Sequence, residues 1–92
     1  MQKTFYITAS EGIHARPAAL LVHAAASFTS ELLITYEEQE ANLKSILSIM
    51  ALSIPTQATI QLSATGDDAE QALTFMEHFF DEQGLGVICE NL

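Results

Sequence analysis

The sequence predicts an α+β domain, an open-faced β-sandwich in which three helices cover one face of a four-stranded, mainly antiparallel sheet. Segments rich in β-branched and aromatic residues are short, and they alternate with helical segments in the order β-α-β-β-α-β-α. Short strands in this order favour antiparallel pairing with the helices on one side. The chain has 92 residues, of which 49% are hydrophobic, so residues 1–92 are expected to form a single domain with one modest core.

A strand, a helix and a second strand are expected in the first part of the chain. Residues 2–8 are rich in β-branched and aromatic side chains, which favour a strand, and a turn follows at 9–12. Residues 15–27 are rich in Ala and Leu and predict a helix, with Pro17 in its first turn, where the missing N–H has no cost. The run 31–36, Glu-Leu-Leu-Ile-Thr-Tyr, predicts the second strand.

The middle of the chain predicts a hairpin, a short helix and a further strand. The acidic run at 37–40 is expected to form the hairpin tip, which leads into a third strand at 41–44. Ser45 is suited to begin a helix that continues to about residue 52, because its hydroxyl can accept a hydrogen bond from a free N–H of the first turn. Residues 58–64 alternate between apolar and polar side chains and predict the fourth strand.

The chain is expected to end with a helix and a tail. The helix spans about residues 68–82 and begins after a turn of one Gly and two Asp residues. Its apolar face is formed by Ala69, Ala72, Leu73, Met76, Phe79 and Phe80. The tail at 85–92 fits neither a helix nor a strand clearly, so the sequence leaves two roles open for it, a dimer contact and a frayed end.

Charge and composition exclude several classes of function. The 3 basic and 12 acidic residues give a net charge of −9, which repels phosphate backbones and anionic lipid, so no nucleic-acid partner is expected. The longest apolar run, at 18–26, is about half the length that crosses a bilayer, so no membrane insertion is expected. The start of the chain lacks a signal-peptide pattern and the lone Cys89 cannot form an internal disulfide, which suits a cytoplasmic protein.

The sequence predicts neither a metal site nor an enzyme cleft. A chain of 92 residues is too small for an enzyme with a deep, enclosed cleft. Four side chains that often bind metals lack the spacing of zinc ligands, namely His14, His23, His78 and Cys89. No metal is therefore expected.

His14 is the strongest candidate for chemistry, because it stands at or just before the first residue of a helix. The free N–H groups and the positive end of the helix dipole favour an anion there. A neutral imidazole in this position keeps a nitrogen lone pair, which a nucleophile toward phosphorus needs. Arg16 can screen the charge of a phosphate on that ring. Position alone leaves a simpler interpretation open, an exposed loop histidine followed by a solvated arginine.

Two motifs extend this interpretation. The run 12–19, Gly-Ile-His-Ala-Arg-Pro-Ala-Ala, resembles the active-centre signature of the histidine-containing phosphocarrier (HPr) family of the bacterial phosphoenolpyruvate:sugar phosphotransferase system. The run 42–47, Asn-Leu-Lys-Ser-Ile-Leu, is similar to the regulatory serine region of that family and follows at the expected distance. The turn at 66–70 and the order of the strands also fit, and the resemblance covers about residues 2–82.

The resemblance implies a phosphoryl-group carrier rather than an enzyme, with no cofactor. His14 matches the histidine that takes a phosphoryl group on Nδ1 from enzyme I and passes it to the A domain of a sugar-specific enzyme II. Arg16 matches the arginine that stabilises the phosphorylated form, and Pro17 matches the proline that starts the helix. Ser45 matches the serine that a dedicated kinase phosphorylates in many Gram-positive relatives, which makes the protein a corepressor for a catabolite-control transcription factor. Without the resemblance Ser45 is an ordinary helix cap, and the two roles are compatible.

Apolar residues beyond the needs of the core predict a surface for these protein partners. In the short helix, Ile49 and Leu52 are expected to face the core. In the first helix the residues expected to pack inward are Ala18, Leu21, Val22 and Ala25. The outward residues of both helices form the expected partner surface: Ala15, Ala19, Leu20, His23, Ile46, Leu47 and Met50. The alternatives are that the small core is overpacked and that His23 is merely solvated.

The chain departs from the family around this surface. Typical relatives carry several lysines and arginines there, whereas Ala26 and Ser48 are neutral, and Ser48 and Ser53 replace the usual glycines. Attraction to an acidic enzyme I should therefore be weak. This leaves a second function open: a regulatory HPr-like module, either a catabolite-repression corepressor or a regulator of non-sugar phosphotransfer, that acts mainly by binding proteins.

Overall fold

The computed structural model of the protein describes residues 1–89 and contains five strands and three helices there. In chain order these elements are β1 (Gln2–Ile7), α1 (Ala15–Ala25), β2 (Glu31–Tyr36), β3 (Gln39–Asn42), α2 (Ile46–Ala51), β4 (Thr59–Thr65), α3 (Ala69–Glu82) and β5 (Gly86–Ile88). The strands form one antiparallel sheet in the order β3-β2-β4-β1-β5. Within the described range, every helix is too short or too polar to span a membrane.

The α+β architecture predicted from the sequence is confirmed. Alternate strand residues are buried, as Phe5 and Ile7 are in β1 and Leu32 is in β2, so one face of the sheet carries the core. The helices supply the facing layer, and α3 packs against β4 and β5. Phe80 of α3 lies against Phe5, with ring centroids 4.7 Å apart. The apolar face predicted for the last helix is therefore the face that closes the core.

The sheet has five strands rather than the four expected, because part of the tail joins it. β5 pairs with β1, with Val87 opposite Tyr6. Gly86 permits this pairing, since a Cβ at that position would lie 2.5 Å from the carbonyl oxygen of Tyr6. Thus the tail adds a strand at Gly86–Ile88, and its residues 90–92 lie outside the described part of the chain.

The hairpin between β2 and β3 is tighter than predicted. Glu37 and Glu38 form its two-residue turn with φ of 50° and 69°, and β3 begins at Gln39 instead of residue 41. A turn with positive φ at both central positions normally uses Asn or Gly. Two glutamates do not indicate such a tight turn. The sequence therefore predicted a longer hairpin tip, at 37–40, and a third strand that begins two residues too late.

Asp68 connects the start of α3 to the residues just before β2 by hydrogen bonds. Its carboxylate accepts hydrogen bonds from the backbone N–H groups of Thr29 and Ser30, each at 2.9 Å, and from the hydroxyl of the buried Ser30. These bonds, with the Ser30 hydroxyl as the largest cause, lower the pKa of Asp68 from 3.8 to about 2. The carboxylate is therefore kept charged where two elements meet.

Replacement of Asp68 with asparagine is expected to lower the urea denaturation midpoint at neutral pH and to have little effect near pH 2. Because the folded-state pKa lies below the unfolded value of 3.8, the carboxylate contributes stability above about pH 4, and that contribution is lost as the pH falls toward 2. Denaturation of both proteins across this pH range measures the difference. Asp67→Asn is the control, since Asp67 is an exposed neighbour; a difference that persists undiminished at pH 2 would contradict the assignment.

Candidate functional site

The loop between β1 and α1 is held on two sides by the rest of the chain. On one side, the N–H groups of Thr8 and Ala9 donate to the carbonyl of Leu85, at 2.9 and 3.2 Å. On the other side, the N–H of Ile13 donates to the carbonyl of Ile54 at 3.0 Å. The loop therefore enters α1 along a fixed backbone path.

Gly12 lies where this loop passes closest to another segment. Its φ is +67°, and a Cβ at this position would lie 2.3 Å from the carbonyl oxygen of Ile54. Both the left-handed backbone and the lack of space therefore exclude a side chain. This close approach sets the direction in which the following residues enter α1.

His14 immediately precedes α1, in agreement with the sequence prediction. Its backbone is extended, with φ of −90° and ψ of −165°, and its side chain makes no capping hydrogen bond. Its carbonyl accepts a hydrogen bond from the N–H of Ala18 at 3.0 Å, so the residue is anchored by its backbone. The side chain is 45% exposed. The imidazole is thus accessible to a partner and lies at the helix end that favours an anion.

A small pocket opens beside this imidazole. It has a volume of about 220 Å³ and is bordered by Ala9, His14, Arg16, Pro17, Leu20, Gln83 and Leu85. The loop, the first turns of α1 and the segment after α3 all contribute to its walls. His14 and Arg16 therefore border the same space, together with Gln83, a neutral polar residue.

Within residues 1–89 the guanidinium of Arg16 has no charged partner, whereas the ammonium groups of both lysines have partners. Lys3 Nζ lies 2.6 Å from a carboxylate oxygen of Glu77, and Lys44 Nζ donates to the carbonyl of Phe28 at 2.6 Å. Arg16 is exposed, and in the described part of the chain it makes neither an ion pair nor a side-chain hydrogen bond. Its guanidinium is therefore available to bind an anion in the pocket.

Glu11 is a neighbour of His14 that the two motifs do not point to. One of its carboxylate oxygens lies 3.4 Å from Nε2 of His14. Glu11 itself lies in the turn 9–12, in which the N–H of Gly12 donates to the carbonyl of Ala9 at 3.0 Å. In the sequence, this contact was indicated only by an acidic residue three positions before the histidine, with a glycine between them. Gln83 had no such signal, because it reaches the site only through the folding of the chain.

Ser45 immediately precedes α2, as predicted, and caps it. Its Oγ accepts a hydrogen bond from the N–H of Ser48 at 3.2 Å, and its carbonyl accepts one from the N–H of Ile49 at 3.1 Å. The residue is half-buried, and the two residues that follow, Ile46 and Leu47, are exposed. The hydroxyl therefore stabilises the helix start at the border of an apolar area.

The outward residues predicted for α1 and α2 are exposed, and the inward residues are buried except Val22, which packs against the core but is only partly buried. The two helices pack against each other. Their four large exposed apolar side chains, here termed the apolar surface, are Leu20, Ile46, Leu47 and Met50. Leu47 is 84% exposed, while Ile49 of the same helix is fully buried. The remaining residues of the predicted partner surface are also exposed, namely Ala15, Ala19 and His23.

The other histidines lie apart from this site. His23 is exposed on the last turn of α1. His78 is exposed on α3, where it borders a separate pocket with Glu77 and Asp81. Across residues 1–89, no three His, Cys, Asp or Glu side chains come close enough together to hold a metal ion.

Comparison with known proteins identifies the family. The chain matches the sequence profile described as the PTS HPr component phosphorylation site over residues 1–82. The solved histidine-containing phosphocarrier protein of Mycoplasma is similar to it, with a TM-score of 0.90 and 36% sequence identity, covering 94% of this chain and 98% of that one. The phosphocarrier protein HPr of Bacillus anthracis has a TM-score of 0.81 and 37% identity, covering 86% of this chain and 94% of that one.

A regulatory relative is also similar. The Bacillus subtilis catabolite repression protein Crh, solved as a domain-swapped dimer, has a TM-score of 0.71 and 35% identity, covering 80% of this chain and 85% of that one. The family profile covers both helix starts that carry His14 and Ser45. From the matched profile and the shared fold, we conclude that the chain belongs to the HPr family, the phosphocarrier component of the phosphotransferase system.

Proposed function

We propose that this protein accepts a phosphoryl group on His14 from phosphorylated enzyme I and passes it to the A domain of a sugar-specific enzyme II in the cytoplasm. The observation that carries the proposal is the pocket at the start of α1, which His14 and Arg16 border together. An accessible imidazole, a free guanidinium and the free N–H groups of a helix start are what a transient phosphohistidine requires. Membership of the HPr family supports the same role.

The proposed transfer step uses only the side chains of the site and the phosphorylated partner. The Nδ1 lone pair of His14 attacks phosphorus, and the bond from phosphorus to the donor atom breaks as the bond to Nδ1 forms. The electron pair of the broken bond stays on the donor. Arg16 then balances the charge of the phosphoryl group, and it does so without first breaking an ion pair in the described part of the chain.

Partner binding is proposed to depend on the apolar surface more than on charge. The net charge of −9 opposes long-range attraction to an acidic partner. Leu47 and the neighbouring apolar side chains expose contact area that the folded chain itself does not cover. We therefore assign these residues, with Ala15, Ala19 and His23 around them, to the contact with enzyme I and the enzyme II A domain.

Incubation with phosphoenolpyruvate and enzyme I tests this function. The intact mass is measured at neutral pH and again after acid treatment, because a phosphohistidine is lost in acid and a phosphoserine is not. One phosphoryl group that is gained at neutral pH and lost in acid supports the proposal. An unchanged mass, with a conventional HPr phosphorylated under the same conditions, would overturn it.

A second proposed function is regulation through Ser45. The similarity to Crh and the place of Ser45, at a helix start beside the apolar surface, favour it. A phosphate there would add about two negative charges next to exposed apolar side chains and would change which proteins bind this area. The partners of this function would be a serine kinase and a catabolite-control transcription factor.

Replacement of Ser45 with alanine is expected to abolish acid-stable phosphorylation by such a kinase. It should also destabilise the fold by about 1 kcal/mol, because the N–H of Ser48 loses its capping partner. Acid-labile phosphorylation should persist, since Ser45 does not border the pocket of His14. The control is Ser48→Ala, which keeps the backbone N–H of that bond. Acid-stable phosphate on the Ser45→Ala protein would refute the regulatory site.

A further inference from the structure

The contact between Glu11 and His14 has no role in the transfer step described above. The carboxylate meets the ring at Nε2, at 3.4 Å. Nδ1, the nitrogen assigned to the phosphoryl group, is the other ring nitrogen. Within the described part of the chain, Glu11 is the one acidic side chain in ion-pair contact with this ring. The negative charge of Glu11 also opposes an incoming phosphate, so a favourable effect of this residue on transfer has to act through the imidazole ring.

We propose that Glu11 is a positioning residue that holds the proton of His14 on Nε2 and thereby leaves the Nδ1 lone pair free for phosphorus. This inference rests on the phosphocarrier function proposed above. A neutral imidazole carries one proton, and a nearby negative charge favours the proton on the closer of the two ring nitrogens. A carboxylate beside Nε2 therefore favours the tautomer in which Nδ1 is the nucleophile.

The same contact compensates the charge that forms on the ring during transfer. When neutral His14 attacks through Nδ1, the bond between phosphorus and the donor breaks, and its electron pair leaves with the donor. The product ring carries the phosphoryl group on Nδ1, keeps its proton on Nε2 and becomes an imidazolium. The positive charge is shared by both nitrogens, and the Glu11 carboxylate lies next to the one that bears the proton.

The local backbone keeps Glu11 in place for this role. Glu11 is the third residue of the turn 9–12, which is closed by the hydrogen bond from the N–H of Gly12 to the carbonyl of Ala9, at 3.0 Å. Gly12 itself is fixed by its close approach to Ile54. The side chain of Glu11 is 75% exposed, so water screens the interaction and its effect on the rate is modest.

Nitrogen-15 NMR of the imidazole at alkaline pH tests the tautomer directly. In the wild type, we expect His14 to carry its proton mainly on Nε2. Glu11→Ala should shift the ring toward a mixture of tautomers, and Glu11→Gln should cause a smaller shift, because its amide oxygen keeps a partial negative charge near Nε2. Glu31→Gln is the charge-matched control, since Glu31 pairs with Thr65 at the far end of the sheet. An unchanged tautomer ratio in Glu11→Ala would overturn the proposal.

Transfer rates provide the second measurement. Phosphoramidate is used as a small donor that needs no protein docking, and phosphorylated enzyme I is used in parallel. With both donors, Glu11→Ala and Glu11→Gln should be phosphorylated about two- to five-fold more slowly than the wild type, the range for an exposed ion pair. Equal rates with phosphoramidate would overturn the charge-compensation part of the inference. If the wild type accepts no phosphate from either donor, the phosphocarrier function fails, while the NMR measurement still decides whether Glu11 sets the tautomer.

Discussion

Replacement of His14 with alanine is expected to abolish acid-labile phosphorylation completely. The imidazole is the nucleophile in the proposed transfer, and the side chains that share its pocket include no second one. The free energy of unfolding should change by about 0.5 kcal/mol or less, because the side chain is 45% exposed and makes no capping hydrogen bond. Intact mass spectrometry after incubation with phosphoenolpyruvate and enzyme I, together with urea denaturation, measures both effects.

His78→Ala is the matched control for this prediction. His78 is an exposed histidine of α3 that borders a separate pocket and lies outside the predicted partner surface. Its loss should leave the site of phosphorylation unchanged. Acid-labile phosphate on the His14→Ala protein, or its disappearance from the His78→Ala protein, would assign the carrier function to another residue.

Replacement of Gly12 with alanine should have the largest effect on stability. The added Cβ would lie 2.3 Å from the carbonyl oxygen of Ile54, in a backbone conformation that L-residues avoid. The left-handed conformation costs about 1–2 kcal/mol, and loss of the neighbouring hydrogen bond from Ile13 to Ile54 costs about 1 kcal/mol more. We therefore expect the free energy of unfolding, measured by urea denaturation, to decrease by about 2–3 kcal/mol in total. Phosphorylation should slow by about 100-fold, since a shift of the loop also shifts His14.

Gly84→Ala separates the two contributions to this effect. Gly84 has the same φ of +67°, but a Cβ there would meet nothing within 4 Å. Its replacement should therefore lower the free energy of unfolding only by the cost of the left-handed backbone conformation, about 1–2 kcal/mol. The rate of phosphorylation should be nearly unchanged. If the Gly12→Ala and Gly84→Ala proteins lose equal stability and transfer phosphate equally well, the close approach to Ile54 does not position the site.

Much of the fold was predictable because its signals are local. The helix starts at His14 and Ser45 follow from residue types that suit the first turn of a helix. The division of α2 into a buried side at Ile49 and an exposed side at Leu47 follows from helical periodicity. Such signals depend on residues a few positions apart, so the sequence alone contains them.

What the sequence did not contain depends on residues that are distant along the chain. β5 consists of three residues, too few for a periodic pattern, and it forms because β1 offers an unpaired edge. The wall that Gln83 adds to the pocket depends on where α3 ends in space. Ser53 shows a related limit, because its φ of 52° is a glycine-like conformation that its residue type does not indicate. In each case, tertiary structure determined the outcome.

The hydrogen bonds from Thr8 and Ala9 to the carbonyl of Leu85 have a consequence for folding. They join segments that are distant along the chain, so the loop before His14 is fixed only after the segment that follows α3 has docked against it. A folding intermediate in which that segment is undocked would present His14 without the finished loop or the wall that Gln83 provides. The pocket therefore forms late in folding, after the long-range contacts that close the domain.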